Sequence, residues 1–162
     1  MLSPQYTRRT VWSPYLQAAG LGAIAGIRSM WAPAIASTYL NKDAPAENEL
    51  SISSPIVALL HLLALGEMVS DKLPFIPERT SALPLIGRGL SGALVGGLVF
   101  ASQRESLIIG ALVGSGAAVA STYLSYAVRQ LLTEQMHIPL AVAGMVEDMA
   151  VLSMRKALLP SA

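Results

Sequence analysis

Between Tyr15 and Leu158 the chain is a succession of apolar stretches, each near the length that crosses a bilayer, and this restricts its fold more than any other feature. A hydrocarbon core about 30 Å thick takes about 20 helical residues. Helices and closed barrels are the structures that cross it with their backbone groups bonded. The stretches lie at about 15–40, 54–71, 85–101, 106–128 and 139–158. A charged fraction of 13%, against roughly 25% in ordinary soluble domains, and a mean hydropathy of +0.54 agree with this. The expectation is an all-α integral membrane protein of about five transmembrane helices, with an interfacial lead-in over 1–14 and a single transmembrane domain over 15–158.

The same letters exclude several classes. A net charge of +1 gives no basic field for a nucleic-acid partner. The absence of Cys removes disulfides, thiolate metal sites and Cys nucleophiles, and His61 and His137 are too few for a His-rich metal site. No nucleophile elbow, phosphate loop or zinc signature occurs, so no cofactor is implied and the chain reads as a non-enzyme, with any metal left unknown. Arg8-Arg9 ahead of an apolar run imitates a secretory signal, but that run is long and carries Arg28 in its middle, so the first helix is read as retained.

Within the stretches, prolines and small residues set the details. Pro33 is expected to kink the first helix, because its ring removes a backbone hydrogen bond. Ser54-Pro55 reads as a cap and first-turn pair, and Pro74 and Pro77 as the end of the second stretch. The third, thin for a crossing and rich in Gly, is expected to pack between neighbours. Gly22-xxx-Gly26, Gly92-xxx-Gly96 and Gly110-xxx-Gly114 each put two small residues on one helix face, where backbones approach closely. Two of these motifs are assigned to packing within the chain and the third to a homo-oligomer, a dimer being the economical way to shield a polar site. Trp12, Tyr15, Tyr39, Tyr123 and Tyr126 read as interfacial belt residues, and Trp31 as packed inside beside Pro33.

An internal repeat organises the whole. Setting Ala36-Ser37-Thr38-Tyr39-Leu40 over Ala120-Ser121-Thr122-Tyr123-Leu124 also aligns Ala34 with Ala118, Gly26 with Gly110 and Ile24 with Ile108. Downstream, Met68-Val69 and Asp71 pair with Met145-Val146 and Asp148. Two-helix units at about 18–78 and 104–157, joined by a linking helix at about 85–101, then form an inverted-topology repeat, the arrangement that puts transporter sites near the midplane. Lys and Arg divide six to four between the two sides, a weak bias toward a cytoplasmic N-terminus that permits insertion both ways up.

The candidate site is made of charges that hydrocarbon disfavours. An ionised side chain at the bilayer centre costs at least ~2.5–3.5 kcal/mol, so such residues face an interior and mark functional sites. Arg28 lies deep in the first stretch and is expected to pair with Asp71 or Asp148. Glu67 and Asp71, spaced i, i+4, share a helix face, whereas Glu147 and Asp148 do not. Counting Glu67, Asp71, Glu147 and Asp148 against Arg28 and Lys72 leaves two negative charges in excess, which points to uptake of protons or cations. His61, about two turns before Glu67, is a candidate proton relay. Arg79, Arg88 and Arg104 are candidates for holding a lipid headgroup, although they do not all fall on one predicted side.

Taken in order, Gly26-Ile27-Arg28, Gly66-Glu67 through Asp71-Lys72 to Pro74, Arg88 ahead of Ser91 to Gly96, Tyr126-Ala127-Val128-Arg129 and Glu147-Asp148-Met149-Ala150 resemble the bacterial membrane protein family of domain of unknown function 4126, over about residues 18–157. The resemblance implies a small multi-pass protein of the bacterial inner membrane and no particular activity. From the residues, the leading expectation is a transporter or channel for a cation or a proton-coupled solute, built around Arg28, Asp71 and Asp148 with Glu67 and Glu147 in support. The alternative is a non-catalytic membrane factor that binds a lipid or a partner protein, its buried charges fixing helix register. A third class is a membrane enzyme acting on lipid headgroups through paired carboxylates and a metal.

Overall fold

The computed structural model describes residues 12–43, 52–70 and 81–158. They form α1 (Pro14–Ile27), α2 (Trp31–Asp43), α3 (Ser54–Ser70), α4 (Ala82–Ser102), α5 (Leu107–Gln130) and α6 (Leu140–Leu158), with a π-helical turn, Leu131–Gln135, continuing α5. No strand occurs among the described residues, as the apolar pattern predicts.

Pro14, Pro33, Pro55 and Pro84 each fall in the first turn of a helix, α1 to α4 respectively. There the missing N–H would have had no helical partner, and the fixed φ already suits the helix. Pro33 therefore acts differently from expectation. In place of a kink inside one long helix, the first stretch is two helices, interrupted at Arg28, Ser29 and Met30. The physical cause is the one anticipated: Pro33 has no N–H to offer the Ser29 carbonyl, four residues back. The consequence falls one turn earlier than the proline itself. Pro84 likewise opens α4 three residues ahead of the expected start, giving it 21 residues.

The core is the three-helix unit α1, α4 and α5, with Leu21, Ile24, Val95, Val99 and Phe100 fully enclosed. Its close approach depends on glycine. A Cβ built at Gly22 would overlap the Gly114 carbonyl, one at Gly26 the Ala118 carbonyl, and ones at Gly96 and Gly114 the carbonyls of Gly110 and Gly92. All three Gly-xxx-Gly motifs thus meet inside the chain, at the α1–α5 and α4–α5 crossings. This corrects the expectation that one of them serves an oligomer. Among the described residues, α2 rests on α4, α3 on α2, and α6 on α1 and α5.

Outside this core, large apolar side chains are exposed. On α3 these include Ile56, Leu59, Leu62, Leu63 and Leu65, with Ala64 buried among them. The outward faces of α4 and α5 carry Leu83, Leu90, Leu94, Ile108 and Leu112. Exposed apolar surface of this extent on a single chain marks contact with a membrane or a partner. Among the described residues, two helical segments are long and apolar enough to cross a membrane: Ala82–Ser102 and Leu107–Gln135, with mean hydropathies of 1.5 and 1.7. The first is the stretch that the sequence made the thinnest crossing.

Candidate functional site

The site is built on the interruption between α1 and α2. A broken helix leaves carbonyls without partners at the end of one half and N–H groups at the start of the other. In a low-dielectric interior each of these is costly unless something bonds it. Here side chains from three other helices do so. Gly26 O, near the end of α1, accepts from Arg88 Nη1 at 2.8 Å and from Thr122 Oγ1 at 3.1 Å. Ala23 O accepts from Ser121 Oγ at 2.9 Å. The Ser29 carbonyl, which Pro33 leaves unserved, accepts from Ser91 Oγ at 2.6 Å.

At the start of α2 the partner is Glu67. Its Oε1 accepts from Ser29 N at 2.8 Å and Ser29 Oγ at 2.7 Å, and its Oε2 from Met30 N at 2.8 Å. Arg88 at the carbonyl end of α1 and Glu67 at the N–H end of α2 each match the sign of the helix dipole they face. Glu67, expected as a supporting acid of the site around Arg28, caps the start of α2. Asp71 itself, with Lys72 and Arg79, lies outside the described residues.

Arg28 sits in the break with only 2% of its surface exposed. Its Nε and Nη2 lie 3.1 and 2.8 Å from Asp148 Oδ1. No described residue bonds Asp148 Oδ2, and the carboxylate keeps 19% exposure. The neighbouring acid on α6, Glu147, turns about 100° away around the helix and meets Arg129 of α5. Arg129 Nε and Nη2 hold its two oxygens at 3.1 and 2.6 Å, a two-pronged fork. Two adjacent acids thereby tie α6 to two different helices, as their separate faces require. Trp12 Nε1 adds a bond to Ala157 O at 2.9 Å near the far end of α6.

Arg88 and Arg129 were missing from the expected charge balance. With them, Glu67, Glu147 and Asp148 stand beside Arg28, Arg88 and Arg129, so the excess of two negative charges does not hold among the described residues. Arg88 also leaves the expected headgroup group, being 4% exposed inside the bundle, while Arg104 is at the surface. His61 Nδ1 lies 2.8 Å from its own helix's Val57 O and Nε2 3.5 Å from Thr38 Oγ1, with no bond to Glu67. No three His, Asp or Glu side chains among the described residues stand together as a metal site.

The sequence carried signals for the buried roles of both arginines. Arg88, Ser91, Gly92, Val95, Gly96 and Val99 recur at helical spacing and form the buried face of α4. Arg129 continues the Ser121, Ser125 line of α5 that faces α6. An arginine on a stripe of small residues belongs to the packed face.

No family model matches the chain, and neither a curated protein nor a solved structure shows significant similarity to it. The family resemblance therefore rests on the order of the motifs given above.

Proposed function

We propose that the chain is a small multi-pass transporter or channel of the bacterial inner membrane, moving a cation or a proton-coupled solute past the break between α1 and α2. The observation that carries this reading is the interruption itself: two half-helices meeting in a charged, hydrogen-bonded environment around the buried Arg28. Non-helical backbone at membrane depth is tolerated where it is enclosed in protein or lines a polar cavity, and broken helices of this kind form the binding sites of secondary transporters. This reading takes α1 and α2 together as one discontinuous crossing and α3, α4, α5 and α6 as the others.

Asp148 is the group on which a transported ion acts. Oδ1 is engaged with Arg28, so a proton or cation arrives at Oδ2. Neutralising this carboxylate weakens the tie between α6 and the break, coupling occupancy to the position of α6. The inverted repeat adds a rationale. Thr38 and Thr122, equivalent positions, both bond the carbonyl four residues back, at 3.0 and 2.8 Å, to Ala34 and Ala118, also equivalent. The copies diverge where function would differ: Leu112 stands where the first copy has Arg28, and α5 runs through unbroken.

The balanced charges favour one other reading, a membrane factor whose ion pairs only fix helix register and which holds a lipid or partner. Purified protein in liposomes, with proton and alkali-cation gradients imposed in turn, separates the two. Flux above that of empty liposomes supports transport. Absence of flux under every gradient, from protein shown to be folded, supports the second reading.

A further inference from the structure

A crevice of about 180 Å³ runs between α5 and α6, beside the end of α1. Leu124, Ser125, Val128 and Leu132 form one wall, and Val146 and Ala150 the other. From Ser121 to Leu132 it spans about 16 Å at the helical rise. Its walls are almost wholly apolar. An apolar cavity of ~150 Å³ stays dry and accepts an apolar guest, so water is the wrong occupant here. Leu124, Val128 and Val146 at its mouth are exposed, so it opens on the outer surface of the bundle.

Charge marks one end. Arg129 spends Nε and Nη2 on Glu147, and no described residue bonds its Nη1, which leaves donors for a phosphate oxygen. Glu147 holds the paired edge of this guanidinium, and five residues on along the chain Glu134 is exposed in the π-helical turn, bonded to Gln130 Nε2 at 3.1 Å. A guanidinium edge with donors to spare, its charge already matched by Glu147, suits a headgroup without net charge that joins a phosphate to an ammonium. It opposes one that is purely anionic.

We propose that this crevice binds a zwitterionic amine phospholipid, one acyl chain lying between α5 and α6, its phosphate at Arg129 and its ammonium toward the exposed Glu134. The inference rests on the membrane placement of the chain and not on transport. In a bilayer the gain comes from filling a void that the helices leave open, since lipid tails offer no hydrophobic drive of their own.

The test uses full-length protein in liposomes containing phosphatidylethanolamine with a photoreactive diazirine on one acyl chain. The expected result is crosslinking concentrated on residues 121–132 and 143–150. Ala150→Phe, which fills the crevice from an exposed position, is expected to cut it at least about tenfold with helicity and unfolding midpoint retained. Unlabelled phosphatidylethanolamine should compete at least about tenfold better than phosphatidylglycerol, a difference of about 1.4 kcal/mol. Crosslinks spread evenly over the exposed faces of α3 and α4, labelling unchanged in Ala150→Phe, or phosphatidylglycerol competing equally well would each overturn the proposal. Carbonate extraction of the same liposomes reports membrane embedding separately, so a failure of the placement is distinguishable from a failure of the site.

Discussion

Removing the Glu67 carboxylate is the most incisive perturbation of the break, because it supports the start of α2 with three short bonds. Glu67→Ala leaves the Ser29 and Met30 N–H groups and the Ser29 hydroxyl without this acceptor. Loss of an N-terminal cap costs about 0.5–2 kcal/mol, loss of an anion at a helix N-terminus up to about 2 kcal/mol, and hydrogen bonds to a charged group about 1.5–3 kcal/mol each. These overlap, and Met30 is partly exposed, so the expected cost is about 3 kcal/mol. Glu67→Gln keeps one acceptor oxygen and loses the charge, for about 1–2 kcal/mol. Unfolding in mixed dodecyl maltoside and dodecyl sulfate micelles, followed by circular dichroism, measures both. Amide hydrogen exchange at Ser29 and Met30 shows whether α2 detaches locally first. If both variants stay within about 0.5 kcal/mol of the parent protein and exchange at those two amides is unchanged, the capping argument is wrong.

Glycine substitutions should divide by helix face. Gly114→Ala puts a Cβ onto the Gly92 carbonyl and is expected to destabilise by at least about 2 kcal/mol, whereas Gly116→Ala, with nothing near its Cβ, should stabilise by about 0.5–1 kcal/mol; thermal unfolding in detergent gives both signs. Arg129→Gln strands the buried Glu147 carboxylate and is expected to cost about 3 kcal/mol. Adding Glu147→Gln should recover most of that loss, and a double-mutant cycle with no coupling would contradict the pairing.

Much of the helical frame is readable in the sequence because apolar length is a strong signal. Ser106 and Pro139 mark where α5 and α6 begin, within a residue. The break at Arg28 is not legible in the sequence, because Pro33 fits a kink in a continuous helix as well as the first turn of a new one, the place that Pro14, Pro33, Pro55 and Pro84 all take. Its bonded partners were legible only in part. Arg28 and Glu67 announce themselves as charges in apolar runs, but which group each meets depends on how α3, α4 and α6 dock, and nothing local fixes that. Arg88 shows the same limit from the other direction. Its spacing places it on the buried face of α4, while its service to the Gly26 carbonyl depends on the crossing of α1 and α4.

On the transport reading proposed above, Asp148 is the carboxylate where an ion acts beside a broken helix. The direct measurement is flux per folded molecule in liposomes for the parent protein and Asp148→Asn, each with its helicity and unfolding midpoint recorded. Transport predicts flux in the parent and a fall of at least about tenfold in the variant while the folded fraction is held. Equal flux in both, or no flux in either with the fold intact, contradicts it.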